Sequence, residues 1–292
     1  MKFSLSARSP FNFFSVVNSH GWRQLAPFLY DEETHTLSYI LRLSNGRVVE
    51  LKLREGVDGV LVETETLDKS ERKEVADKVT WIFGLDMDFA RFYAAARAEP
   101  KLAQAKKRAL GRVLRSATLF EDVIKTILTT NTLWAATRNM TLKLVNEFGE
   151  SLPDDATRKA FPTPEAIAAS SPEVIREKVR VGYRAPAIHQ LAVREASGTL
   201  DLESLKASNL PTLELRKELL KINGVGPYAA ANLLLILGRT DFIPIDSWAL
   251  KLVSHEWYDG KPVAPKEVEK HFERWGEFKG LAFWFWDWNY KG

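Results

Sequence analysis

The sequence predicts an α+β protein, with an antiparallel sheet domain over residues 1–75 and an all-helical domain over residues 76–292. Two observations carry this reading. The runs THTLSYILRL and RVVELKLR are rich in β-formers and are joined through Ser44-Asn45-Gly46, and Asn-Gly between such runs is a hairpin signal. From about Arg72 onward the apolar residues recur at helical spacing instead, and the breaks between them look like helix caps.

In chain order, Ser15 to Trp22 and the following RQLAPFLY suggest a short helical segment and a turn. The two hairpin runs come next, and GVLVETE after Glu55-Gly56 supplies a third strand. Asp86 precedes an aromatic, alanine-rich helix that Pro100 interrupts. Lys101 to Arg115, KLAQAKKRALGRVLR, is strongly basic; it suits either a solvated face or a phosphate backbone. ATLFEDVIKTILTT is a helix, Thr129-Thr130-Asn131-Thr132 breaks it, and LWAATRNMTLKLVNEF resumes. Pro153, Pro162 and Pro164 punctuate a loop region. TPEAIAAS and SPEVIREKV then read as short helices with hydroxyl caps and proline at the first position. Val181-Gly182-Tyr183-Arg184 breaks the pattern again. AIHQLAVREA and LPTLELRKELLKI are helical, and so is the aromatic tail from Pro265, which includes FKGLAFWFWDWNY. Helices this short bury only stripes and need one another to form a core.

Composition narrows the chemistry. The chain has 292 residues, a net charge of +3 and no cysteine, which excludes disulfides, a thiol nucleophile and thiolate-bound zinc or iron–sulfur clusters. The five histidines are scattered and none joins an acid at ligand spacing, so neither a metal nor a cofactor is expected. The first residues lack the apolar core of a secretion signal, and Ala229 to Leu237 is too short to span a membrane. A cytoplasmic monomer without membrane contact is the expectation.

The stretch from Lys221 to Leu250, KINGVGPYAAANLLLILGRTDFIPIDSWAL, is the most informative. One helix ends near Ile222. Asn223 and Gly224 permit a tight turn, Gly226 adds a second permissive position, and Pro227 suits the first position of the next helix. Amide groups and a helix N terminus converge there, which makes an anion site, although the same turn also serves plain helix packing. The second helix runs to about Leu237 and Gly238 stops it. Eight residues, Gly238 to Ile245, reach at most about 28 Å, enough to bring Asp246 back toward Tyr228. Asp246 also has the form of an N-cap before SWALKLVS, and both roles are held for it.

From Gly224 to Asp246 the chain resembles the helix–hairpin–helix (HhH-GPD) DNA glycosylases, base-excision enzymes with a Gly/Pro-rich loop and a catalytic aspartate. It is similar to the branch holding 3-methyladenine DNA glycosylase II and the 8-oxoguanine glycosylases, whose helices follow a TATA-binding-protein-like sheet domain. Phe83-Gly84-Leu85-Asp86 resembles the entry to their helical core, and Ile127 to Asn131 the loop whose polar residue fills the gap left by a flipped base. Val181 to Ala185 resembles the L-G-Y-R-A segment of 8-oxoguanine glycosylases.

The resemblance implies double-stranded DNA with a damaged base as partner and substrate. Asp246 would be catalytic; Gly224, Gly226 and Pro227 would hold a backbone phosphate. Asn131 and Tyr183 would be plug and wedge during base flipping, and Arg184 would reach the strand or the unpaired base. Tyr228, Asn232, Trp284 and Trp288 would line the base pocket. Tyr228 stands where bifunctional relatives carry a Schiff-base lysine, which implies a monofunctional enzyme. Ala136 stands where 8-oxoguanine enzymes carry an arginine for the opposite cytosine. Removal of alkylated bases such as 3-methyladenine is therefore the leading expectation. The alternatives are 8-oxoguanine removal and a non-catalytic DNA-binding module.

Overall fold

The computed structural model describes residues 1–286; Trp288 lies outside them. The chain forms two compact units. One comprises Met1–Asp88 and Arg112–Ala207, the other Phe89–Gly111 and, among the described residues, the chain from Ser208.

The first unit is built on a five-stranded antiparallel sheet of β1 (Lys2–Ser6), β2 (Phe28–Asp31), β3 (Thr36–Arg42), β4 (Val48–Glu55) and β5 (Gly59–Glu63), in the order β1-β5-β4-β3-β2. The three expected strands form its middle. β1 and β2 were not expected as strands; they are the two edges, five and four residues long, too short for a strong alternation signal. The Asn-Gly turn closes as anticipated. Leu43 N–H donates to Arg47 O at 2.8 Å, and Gly46 takes φ +91°, which a glycine adopts without strain. Leu37, Tyr39 and Leu41 stand opposite Leu53, Leu51 and Val49, and all six are buried on one face. On the other face Ile40 and Val48 pack with Ala160.

Helix α1 (Lys69–Phe83) starts in a capping box between Asp68 and Glu71 and stops at Gly84, φ +57°. It buries Val75, Val79, Ile82 and Phe83, one stripe. The expected domain boundary at residue 75 falls inside this helix.

Helix α2 (Leu119–Thr129) is buried from Leu119 to Leu128, ionisable residues included. The Glu121 carboxylate accepts from Tyr39 Oη and Lys125 Nζ, both at 2.6 Å. Asp122 Oδ1 accepts from Trp22 Nε1 at 2.7 Å and from the Ser116 amide at 3.0 Å. Glu121 is paired and hydrogen-bonded, as a buried charge requires, whereas Asp122 Oδ2 is buried without a hydrogen-bond partner among the described residues. The network ties α2 to the sheet and to the Gly21–Gln24 turn, and the helix then delivers its C terminus to Asn131.

The basic run divides. Lys106 and Lys107 are exposed. Arg112 is 2% exposed and donates to the carbonyls of Gly84, Pro10, Arg8 and Met87, so it braces the fold and is not a solvated cation. Arg115 is likewise buried, over the Trp81 ring.

In the second unit, α4 (Thr212–Leu220) and α5 (Pro227–Ile236) flank the glycine hairpin, where α3 denotes Trp134–Phe148 of the first unit. Apolar residues surround α5 on nearly every side, and it is buried accordingly. Gly238, φ +78°, ends it as expected. Helices α6 (Ser247–Trp257) and α7 (Lys279–Trp284) complete the parts that concern the site. Gly280 N–H donates to Thr240 O at 2.7 Å, and a Cβ at Gly280 would meet the Phe242 and Thr240 carbonyl oxygens at 2.5 and 2.8 Å. That close approach, with Thr240 Oγ1 donating to Glu277 O at 2.6 Å, anchors the segment leading to Asp246. Among the described residues no helix is long and apolar enough to cross a membrane.

Candidate active site

The hairpin is built from the turn outward. Ile222 N–H and Val225 N–H bond back to Leu219 O and Ile222 O at 3.1 and 3.0 Å, which buries Val225 beneath the turn. Gly224 takes φ +86° and needs to be glycine. Gly226 does not: its φ is −89° and it is the N-cap of α5. What its missing side chain provides is space, since a Cβ there would meet nothing within 4 Å. Pro227 occupies the first helical position, and Ala230 N–H closes the first helical bond to Gly226 O at 2.9 Å. The amides of Gly224 and Gly226 make no hydrogen bond among the described residues, and both glycines are exposed. Free N–H groups at a helix N terminus form an anion site.

Asp246 is the N-cap of α6. Its Oδ1 accepts from the Trp248 and Ala249 amides, each at 2.9 Å. Both capping bonds use the same oxygen, so Oδ2 makes no hydrogen bond among the described residues. One carboxylate can thus cap and still present a charged oxygen. Tyr228 is half-buried on the first turn of α5. Asn232 lies one turn on and donates its amide to Tyr228 O at 3.2 Å, so one of its donors is spent within its own helix. Trp284 is half-buried in α7. Among the described residues of the aromatic tail, Phe283 and Trp286 make core, with ring centroids 5.6 and 5.1 Å from Phe272.

In the first unit Asn131, Tyr183 and Arg184 come together. Asn131 follows the C-cap of α2, is exposed, and takes φ +47°, a left-handed conformation that asparagine tolerates. The loop it begins is held at its far end. Trp134 opens α3, donates Nε1 to Gln24 at 2.8 Å and fills the space beside Gly21, where a Cβ would come within 2.2 Å of its ring. Thr137 Oγ1 donates to Leu128 O at 3.0 Å. Tyr183 sits in a 3-10 turn, Gly182–Arg184, between helices Pro172–Val179 and Ala185–Ala196, and is 66% exposed. Hydrogen bonding with Asn131 and Thr130 and the nearby Arg184 charge pull its phenol below the usual range. Arg184 is the residue expected to reach the strand or the unpaired base. It is 7% exposed and donates to the backbone carbonyls of Val181 and Thr130.

Two exposed apolar side chains were not anticipated. Leu133, 80% exposed, ends the loop that Asn131 begins. Trp248, 49% exposed, stands two residues after Asp246 with its ring edge-on to Phe283 at 5.4 Å. The signal for each was an apolar residue beside a cap, where solvated positions favour polar ones.

A family model for the HhH-GPD superfamily base excision DNA repair proteins matches residues 124–278, more than half of the chain. The DNA-3-methyladenine glycosylase of Bacillus subtilis is 26% identical over 229 residues, which are 76% of this chain and 75% of that protein. Among solved structures, the 3-methyladenine DNA glycosylase of Archaeoglobus fulgidus superposes with a TM-score of 0.76 at 22% identity, covering 98% of this chain and 97% of that one. The Clostridium acetobutylicum 8-oxoguanine glycosylase/lyase, in complex with double-stranded DNA, does so at 0.73 and 21% identity, covering 95% and 90%. The matched region holds the Asn131 loop, the hairpin and Asp246, and the chain belongs to the HhH-GPD superfamily of base excision DNA repair proteins, as a DNA glycosylase.

Proposed function

We propose that this protein is a monofunctional DNA glycosylase that hydrolyses the N-glycosidic bond of an alkylated, 3-methyladenine-like base in duplex DNA, acting as a monomer. The observation that carries the reading is the pairing of a tyrosine, Tyr228, on the first turn of the hairpin helix with an aspartate, Asp246, whose second oxygen is uncommitted. A phenol does not form a Schiff base with the sugar, so hydrolysis by water fits this site and strand cleavage does not.

A base within a duplex is out of reach and must be extruded. Asn131 fills the gap and Tyr183 wedges beside it. The Gly224 and Gly226 amides take a backbone phosphate, which fixes register without reading sequence. Positive charge develops on the sugar as the glycosidic bond stretches. Asp246 stabilises that charge more in the transition state than in the ground state and orients the attacking water. A base alkylated at N3 or N7 is already cationic and leaves without strong acid catalysis. Aromatic faces attract such a cation, and Tyr228 and Trp284 remain the assigned walls, with Trp248 added beside Asp246. Trp288 keeps its pocket assignment from sequence, and Asn232 is left one free donor for the base edge. The name of the Bacillus subtilis relative supports the same substrate class.

The Val181-to-Ala185 segment favours 8-oxoguanine as a second substrate reading. One experiment separates them: single-turnover excision on duplexes carrying 7-methylguanine, a stable 3-methyladenine surrogate, hypoxanthine, uracil, or 8-oxoguanine opposite cytosine, with products read before and after alkali. Release of alkylated bases, with breaks appearing only after alkali, is expected. Release of 8-oxoguanine alone would overturn the alkyl-base assignment, and breaks without alkali the monofunctional one.

A further inference from the structure

The plug and the wedge sit on different segments, and Arg184 bridges them beside the Tyr183 phenol's own hydrogen bonding with Asn131 and Thr130. Arg184 Nη1 donates to Val181 O at 3.3 Å, and Nη2 donates to Thr130 O, with Asn131 O 3.5 Å away. Its guanidinium carbon lies 4.6 Å from the centroid of the Tyr183 ring. A planar fork that bonds the carbonyl before the plug and stacks on the wedge fixes their separation and their angle together. The same commitments bury it: at 7% exposed, it offers little surface to a base. Leu133, Ala135 and Ala136, which follow the plug in the chain, and Tyr183 are exposed and uncharged.

We propose that Arg184 is a positioning residue that presets Asn131 and Tyr183 as one rigid block for duplex opening, and that it does not read the base opposite the lesion. The proposal rests on the glycosylase reading above. A preset block meets the duplex with its ordering already done, so less of the binding free energy goes into arranging the loop at the moment of flipping. Without the guanidinium, the Asn131 loop and the Tyr183 turn keep only the phenol's hydrogen bonding across the gap and the hold of their own flanking helices. Lysine supplies one charge but no fork and is a poor substitute.

The test uses a duplex with a stable abasic analogue beside 2-aminopurine, whose fluorescence rises as the neighbouring stack opens. It also uses lesion duplexes with each of the four bases opposite. Arg184→Ala is expected to bind within about threefold of wild type, because phosphate contacts dominate affinity. It should open the stack less and excise about tenfold more slowly, by the same factor for all four opposite bases. Asp246→Asn should open the stack like wild type and excise roughly 10²–10³-fold more slowly. Loss confined to one opposite base would make Arg184 a base reader, and normal opening in Arg184→Ala would show that it braces nothing; either overturns the proposal. Where Arg184→Ala lacks a cooperative urea transition, Arg184→Lys takes its place with the same expectations. The fluorescence needs no excision. A wild-type protein that opens DNA but releases no base removes the functional reading and leaves the brace, whereas one that opens no duplex removes the brace.

Discussion

Asp246 caps α6, and substitution can separate that role from the catalytic one proposed for it. Asparagine is as good an N-cap as aspartate, so Asp246→Asn keeps the bonds to the Trp248 and Ala249 amides and loses only the charge. We expect roughly 10²–10³-fold slower excision with an unchanged urea midpoint. Asp246→Ala should lose the same activity and about 1 kcal/mol of stability besides. Full activity in Asp246→Asn would mean the residue is only a cap. The two hairpin glycines separate in a similar way. Gly224 is fixed by its φ of +86°, so Gly224→Ala should cost about 1 kcal/mol in the fold itself. Gly226, at φ −89° with open space before it, accepts threonine, which caps about as well as glycine. Gly226→Thr should therefore leave the unfolding midpoint alone and raise the Kd for DNA about tenfold by crowding the phosphate. Unchanged binding would remove the phosphate from this turn. The sequence showed both glycines but not that they serve different purposes, because φ at a glycine is set by the turn and not by the residue name. Arg184 shows the opposite limit. Its neighbourhood in sequence places it beside Tyr183, but only the fold brings the Thr130 carbonyl to it from 54 residues away.

Elements were legible where their signals are local. The hairpin turn, the capped helices and the Pro227–Ile236 helix follow from caps, turn residues and periodicity. Helix α2 was legible as a helix, but not as a rod with charges sealed inside it: Glu121 and Lys125 are four apart, which on sequence reads as an exposed pair. Its burial has a consequence for pH. Desolvation, against the bonds from Trp22 and Ser116, raises the Asp122 carboxyl to about 6. Desolvation, partly offset by the bond to Leu114 and reinforced by the charge of Lys125, lowers His20 to about 4. The two act in opposite directions. Asp122 binds its proton more tightly folded than unfolded, so its contribution is full at low pH and is lost as pH rises through about 6. His20 resists protonation when folded, so its contribution is present above the ordinary histidine range and is lost as pH falls toward about 4. Between these values they offset one another. Asp122→Asn should therefore make stability rise with pH relative to wild type, and His20→Gln should make it fall, each by up to about 1.4 kcal/mol per pH unit. Urea unfolding at several pH values between 4.5 and 5.5 measures both slopes; identical slopes in the two variants would refute the assignment.

At the scale of the whole chain, the change from strand to helix periodicity suggested a cut near residue 75, but periodicity reports elements and not what they pack on. The first unit closes only when the sheet meets chain from beyond residue 111. Trp22 bonds Asp122, Tyr39 bonds Glu121, Arg42 pairs with Glu150, and Glu50 pairs with Arg158. Arg112 holds the carbonyls of Arg8 and Pro10, and His20 Nε2 bonds Leu114 O at 2.6 Å. A fragment of residues 1–75 would lose all of these, split α1 and leave one face of its sheet bare. A sheet with an uncovered apolar face lacks the second layer that makes a stable core. We expect that fragment to show no cooperative unfolding by circular dichroism. Residues 1–88 joined to 112–207 through a short flexible linker should unfold cooperatively, because Arg112 already bonds the Gly84 and Met87 carbonyls beside the junction. If residues 1–75 melt cooperatively and the joined chain does not, the sheet is a domain in its own right and the cross-chain network is decoration. The expected result instead makes the early sheet and the helix that ends at the Asn131 loop one folding unit, so that changes in the sheet core would reach the proposed duplex opening through α2.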